Sequence, residues 1–278
     1  MSRRDALGPK QRKSEGQNAA ELLARQRQAY ILETVRRGGA ARVADLVTQL
    51  GVSDMTIRRD LLALESRNLL HKVHGGATAL PESALFEPGF PAKFVLQERE
   101  KVAIADAAMA LVRPGTAIGI SAGTTTYALA RRLVDVPGLT IATNSVPVAE
   151  VLYGGAGRGQ TIILTGGVRT PSDALVGPFA VAALRTIHLD LVFMGVHGMD
   201  PRSGFTTPNV LEADTDRALV DAGRRLIVVA DHTKWGVIGI STIARLDQAD
   251  TVVTDSLIDR SALDTLNSVV REVIVAEM

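Results

Sequence analysis

Polar or glycine-rich clusters interrupt an otherwise apolar C-terminal half: Ser121-Ala122-Gly123-Thr124-Thr125-Thr126, Thr143-Asn144-Ser145, Gly166-Gly167, Gly195-Val196-His197-Gly198 and Asp231-His232-Thr233-Lys234. A small-residue turn with hydroxyls at the start of a helix offers an anion backbone N–H groups, hydroxyl donors and the helix dipole. Lys234 supplies a point charge suited to a phosphate, while Asp231 and Glu212 can accept hydrogen bonds from the hydroxyls of a polyol. Each cluster alone also reads as a helix cap or a turn, so it is their recurrence that points to one site. A second chemistry lies near the N-terminus. Arg58 and Arg59, with Met55 and Thr56, fall in the first turns of a segment that Ser53 can cap, and the planar arginine fork grips guanine O6/N7 or a phosphate.

The clusters need a scaffold that gathers them. Short apolar runs precede most of them: Thr116–Ser121, Leu139–Thr143, Thr161–Leu164, Leu189–Gly195, Leu226–Ala230, Thr251–Thr254 and Glu272–Ala276. Amphipathic segments separate most of these runs. That alternation predicts a mostly parallel, Rossmann-like α/β sheet, in which ligands gather at the carboxyl ends of strands. No cofactor fingerprint competes: neither G-x-G-x-x-G after a strand nor a Walker-type G-K-[ST] occurs, and Gly154-Gly155-Ala156-Gly157 follows a helical segment, where it reads as a loop. His188, His197 and His232 lack ligand spacing and read as polar loop residues, with no metal expected.

The arginines are set on a small helical unit. Ile31, Leu32 and Val35 mark one face of a first helix that Gly38-Gly39 stops, and Val43, Leu46, Val47 and Leu50 mark a second that ends at Gly51. Ile57, Leu61 and Leu64 turn a third helix inward, which leaves Arg58 and Arg59 outside. Leu69–Val73 then reads as a strand and His74-Gly75-Gly76-Ala77 as the turn that reverses it. A strand pair after such a helix is a wing, and the whole is a winged helix-turn-helix.

Charge divides along the same line. Residues 1–80 carry 14 Lys+Arg against 8 Asp+Glu, a balance of +6 within a chain whose net charge is +1. A basic small domain fits a polyanionic partner, and the acidic remainder does not. Cysteine is absent, which excludes a disulfide framework and thiolate chemistry and fits a cytoplasmic protein; no apolar run approaches a membrane span. The boundaries expected are a basic, disordered and solubilising tail over 1–22, the winged helix-turn-helix over 23–80, a Pro- and Phe-containing linker over 81–94, and the α/β domain over 95–278.

The run V-S-D-M-T-I-R-R-D-L, with L-x-x-x-H-G-G-A at Leu70–Ala77, resembles the DeoR-type winged helix-turn-helix. The runs A-G-T-T-T, T-N-S, L-T-G-G, G-x-x-G-x-D, G-F-T-T with Glu212, and D-H-T-K-W extend the resemblance to the DeoR sensor domain, which is similar in fold to ribose-5-phosphate isomerase. The resemblance implies that Ser53, Met55, Thr56, Arg58, Arg59 and His74 serve double-stranded operator DNA. It also implies that Gly123, Thr124 and Thr125 cradle the phosphate of a phosphorylated sugar effector, with Asn144, Glu212, Asp231 and Lys234 nearby. Asn68 departs from the family's glycine before the wing, His71 stands where arginine is common, Ser121 replaces an aspartate, and Trp235 replaces a phenylalanine as packing. The expected function is a transcriptional regulator, a repressor of a carbohydrate operon relieved by the effector, acting as a homodimer or homotetramer because one recognition helix reads too few base pairs. The rival reading is a sugar-phosphate isomerase carrying a DNA-binding domain. Against it, Gly195-Val196-His197-Gly198-Met199-Asp200 stands where an acidic pair such as D-G-A-D-E would do the proton transfer.

Overall fold

The computed structural model describes residues 24–35, 40–67, 69–73, 75–78, 89–94, 96–154 and 159–278. The expected tail, most of the expected linker, Asn68 and His74 lie outside the described residues. The chain divides into two compact units, Met1–Ser83 and Ala84–Met278.

In the first unit α1 covers residues 24–35 and is followed by β1 (Ala40–Arg42), α2 (Val43–Leu50), α3 (Asp54–Glu65), β2 (His71–Val73) and β3 (Gly76–Thr78). α2 stops at Gly51, where a left-handed φ of 64° lets the Gly51 N–H donate to the Val47 carbonyl. α3 starts at Ser53, whose hydroxyl accepts the Thr56 N–H. Ile31, Leu32, Leu46, Ile57, Leu61, Leu64 and Leu70 fill the core. The wing is the antiparallel β2–β3 pair, and β1 adds to the free side of β3. A three-residue strand such as β1 is too short to show alternation in sequence. Its closeness explains Gly76, where a Cβ would overlap the Ala41 carbonyl oxygen, while Gly75 turns the chain at φ 78°.

One polar lock holds α1 to α3. Asp60 is buried and accepts hydrogen bonds from Arg27 Nε at 2.5 Å and Gln28 Nε2 at 2.9 Å. Removing one partner of such a pair strands the other in a medium that solvates it poorly. Asp60→Ala is therefore expected to lower the stability of this unit by about 3 kcal/mol, read by chemical denaturation of the full chain; a loss below about 1 kcal/mol would mean that Arg27 reaches solvent freely.

The second unit opens with α4 (Phe90–Phe94) and α5 (Glu98–Met109), then alternates through β4 (Ala117–Ile120), α6 (Thr124–Leu133), β5 (Thr140–Thr143), α7 (Val146–Gly154) and β6 (Thr161–Leu164). A hairpin of β7 (Val168–Arg169) and β8 (Leu175–Val176) leads to α8 (Pro178–Leu184) and β9 (Leu191–Met194). There follow β10 (Gly198–Asp200), β11 (Gly204–Thr207), α9 (Val210–Ala222), β12 (Leu226–Val229), β13 (Ser241–Ala244), β14 (Thr251–Asp255), α10 (Arg260–Val269) and β15 (Glu272–Ala276). The seven expected strands form one fully parallel sheet in the order β15-β14-β12-β9-β4-β5-β6. Residues 89–94 of the expected linker carry α4, where Phe90 and Phe94 set their rings edge-on to Tyr127 of α6 at 5.7 and 5.6 Å.

Both faces of the sheet are covered, as a run of apolar residues without alternation requires. Leu191, Phe193, Ile227 and Val229 face the core under α5, α6 and α7, and Val192, Met194 and Val228 face the core under α8, α9 and α10. The chain runs outward from β4 through β5 to β6, then crosses to β9 on the other side of β4. The switch point between β4 and β9 opens a crevice at their carboxyl ends. The antiparallel sheet β10-β11-β13 was not legible as strands in the sequence.

Candidate functional site

The loops after β4 and β9 border a cavity of about 70 Å³ at this switch point. Ala122, Gly123, Thr124 and Thr125 form one wall, at the start of α6. Gly123 gives that helix no side-chain cap, so the first-turn amides are left for an incoming acceptor. Glu212 and Asp216, one turn apart on α9, also line it, with Ser172 and Thr207. Lys234 lines the pocket from the 3-10 turn that follows β12.

Among the residues expected from sequence, Gly123, Thr124, Thr125, Glu212 and Lys234 come together on the pocket wall. Glu212 is buried, and its carboxylate accepts hydrogen bonds from Thr170 at 2.6 Å and Ser172 at 2.7 Å. Asn144 and Asp231 stand behind the wall and brace it. Asn144 Oδ1 accepts the Ala122 N–H at 2.9 Å, holding the loop before α6 in place, and its Nδ2 is buried with no hydrogen-bond partner. Asp231 Oδ1 accepts the Thr233 N–H at 3.0 Å and the Thr233 hydroxyl, while Oδ2 is buried unpaired. Burial pushes the Asp231 carboxyl upward, but the Lys234 charge, the Thr233 hydrogen bond and the Lys101 charge outweigh it and hold Asp231 below the usual carboxylate range. Ser121 is fully buried, and its hydroxyl accepts the Gly195 N–H at 2.9 Å, tying the end of β4 to the end of β9.

Sequence reasoning missed Lys101. It lines the pocket from α5, and its ammonium donates to the Lys93 carbonyl at 2.5 Å and to the Leu96 carbonyl. Burial pushes its pKa down to about 7; the Asp231 carboxylate opposes that fall, and Lys234 and Lys93 add to it. A signal was present: the buried stripe of α5 is Lys101, Ile104, Ala105 and Ala108, with a lysine in an apolar position. Three lysines, Lys93, Lys101 and Lys234, and an uncapped helix start thus meet at a cavity that two carboxylates, Glu212 and Asp216, also line. Such a site suits a ligand with an anionic end and a hydroxylated end.

On the first unit, Met55, Arg58 and Arg59 are exposed on one face of α3, with Met55 at 73%. Ser53 caps the helix. Thr56 is half-buried, its hydroxyl 2.9 Å from that of Ser53. Arg58 forms an exposed ion pair with Asp54 at 2.5 Å. This face presents donors at the N-terminal end of a helix that its own core leaves free, the arrangement by which a recognition helix enters a major groove. Among the described residues, no group of three or more His, Asp or Glu side chains could hold a metal ion, and no helix is long and apolar enough to cross a membrane.

Residues 96–256 match the family model of the DeoR C-terminal sensor domain, and residues 27–83 match that of the DeoR-like helix-turn-helix domain. The chain belongs to the DeoR family. It is a transcriptional regulator with a helix-turn-helix DNA-binding domain and a sensor domain. A DeoR-type relative, the uncharacterized HTH-type transcriptional regulator YgbI of Escherichia coli K12, is 35% identical over 85% of this chain and 92% of that protein. The putative aga operon transcriptional repressor of Escherichia coli O157:H7 is 31% identical over 90% and 93%, and the glycerol-3-phosphate regulon repressor of Escherichia coli K12 is 32% identical over 83% and 90%. Among solved structures, ribose 5-phosphate isomerase A from Methanocaldococcus jannaschii is similar at 14% identity, with a TM-score of 0.37 over 50% of this chain and 54% of that one.

Proposed function

We propose that this DeoR regulator represses a carbohydrate operon and leaves its operator when a phosphorylated sugar fills the pocket between β4, β9 and α9. The observation that carries this reading is the mixed lining of the cavity: Lys93, Lys101, Lys234 and the start of α6 as one set, Glu212 and Asp216 as the other. The phosphate is bound by the first set and the sugar hydroxyls by the second, with Asn144 and Asp231 holding the walls. The names of the aga and glycerol-3-phosphate repressors, whose sequences align over most of this chain, support repression of sugar use. Repeated half-sites about one DNA turn apart, bound by a homodimer or homotetramer in the cytoplasm, complete the reading. Met55, Arg58, Arg59 and His74 reach the DNA, with Ser53 and Thr56 ordering the helix start. Isomerase chemistry is not part of this reading, because Gly195-Val196-His197-Gly198-Met199-Asp200 stands where an acidic pair would do the proton transfer.

The test is fluorescence anisotropy on the regulator's own upstream DNA at fixed salt, titrated with phosphorylated and free sugars. Release by a phosphorylated sugar and not by its free form is expected. Operator affinity unmoved by every phosphorylated sugar would defeat the sensing reading, and turnover of ribose 5-phosphate would restore the isomerase.

The lysine in the pocket predicts a pH dependence. Lys101 is charged below about 7 and neutral above, whereas a phosphate monoester is fully dianionic by then. A bound anion favours the charged lysine and raises its pKa, so effector affinity falls as pH rises between the free and bound values. Calorimetric titration between pH 7 and 9 is expected to show a loss of about fivefold or more. Lys101→Gln should bind more weakly at pH 7 and lose that slope; an unchanged slope would take Lys101 out of the phosphate contact.

A further inference from the structure

α8 and α9 pack side by side and leave between them a surface groove of about 750 Å³, on the far side of α9 from the pocket. Much of the groove's lining is apolar: Val181 and Ala182 line it from α8, Leu211 and Ala218 from α9, and Ile187 from the segment that follows α8. Leu211 is half exposed. Apolar side chains left open along a groove gain nothing from burial within this unit.

The charges along the groove select its occupant. Arg185 stands on the α8 side and Asp221 on the α9 side, both exposed, and neither side chain has a hydrogen-bond or ion-pair partner among the described residues. A partner carrying one sign of charge would be repelled by one wall or the other. A second copy related by a two-fold axis running along the groove would set each Arg185 against Asp221 of the partner subunit, and the two apolar linings against each other. A self-complementary patch is what an isologous interface requires.

We propose that the α8–α9 groove is the surface through which two copies of this chain pair. The proposal goes beyond the sugar-phosphate reading, from which it takes only the expectation of a homo-oligomer. It also gives α9 two tasks, since Glu212 and Asp216 point to the effector pocket while Leu211 and Asp221 serve the paired face. Filling the pocket then acts on the helix that also sets the pairing.

Sedimentation equilibrium of the full chain, without DNA or effector, tests this. The parent is expected to be an oligomer. Arg185→Asp and Asp221→Arg should each weaken association ~10-fold or more, moving dimer toward monomer or tetramer toward dimer. The double exchange Arg185→Asp with Asp221→Arg should restore assembly, which a merely unfolded variant cannot do. Ala182→Glu, at an exposed position in the groove, should dissociate the pair without rescue by either exchange. Unchanged assembly in all variants, or a double variant no better than the single ones, would overturn this surface and leave the expected homo-oligomer standing. A monomeric parent would overturn both and give the groove to a different protein.

Discussion

Replacing Lys234 by Met is expected to leave operator binding within about twofold of the parent and to raise the phosphorylated-sugar concentration for half-release by ~30-fold or more, the equivalent of about 2 kcal/mol. Lys234 lines the same pocket as Glu212 and Asp216, and its charge is felt by the buried Asp231. Its removal takes away a charge-assisted contact to the phosphate. Methionine keeps most of the stem, so the wall does not collapse. Lys101 remains to balance Asp231, which limits the cost to folding. Thr125→Ala is the milder companion, losing one hydroxyl donor and about 1 kcal/mol of effector binding. Anisotropy titrations of operator and effector on the same preparation separate the outcomes. Unchanged release would remove Lys234 from the phosphate contact, and equal loss of DNA binding and release would indicate damage to the fold.

The sheet was legible because its strands are short, mostly apolar runs, which burial on both faces favours at Leu191–Met194 and Leu226–Val229. Thr161–Leu164 and Glu272–Ala276 fall where the sequence put them. The strands β10, β11 and β13 escaped because Gly198–Asp200 and Gly204–Thr207 are short, glycine-bearing and buried without alternation, so nothing in the local pattern marks them. At the candidate site, loops that follow β4, β9 and β12 border the pocket, but position after a strand does not say which way a side chain turns. Thr125 and Lys234 turn into the pocket, while Asn144 and Asp231 turn inward and hold the loops. Thr56 shows the same limit on the recognition helix, since a hydroxyl that bonds to the Ser53 cap cannot be told from one that points at solvent. Lys101 was hidden for another reason: it lies on a helix ahead of the first strand of the sheet, outside the rule that ligands meet carboxyl ends.

The recognition helix carries the second large effect. Arg58→Ala is expected to weaken operator binding by ~5- to 150-fold, or about 1–3 kcal/mol, and to relax sequence preference at one base pair of each half-site. In the free protein Arg58 is held by Asp54 in an exposed ion pair one turn away. A pair so exposed is weak and screened by salt, so a bidentate contact to guanine outweighs it and the side chain can swing to the base edge. Arg59, exposed on the same face, is the expected phosphate contact, and Arg59→Ala should behave differently. It should weaken specific and non-specific DNA alike and lower the slope of log affinity against log salt by about 1. Binding curves for the operator, a point-mutated operator and random DNA across a salt series distinguish the two roles. A uniform loss for Arg58→Ala would assign that residue to the backbone instead, and an unchanged affinity in both variants would mean that α3 is not the helix that enters the groove.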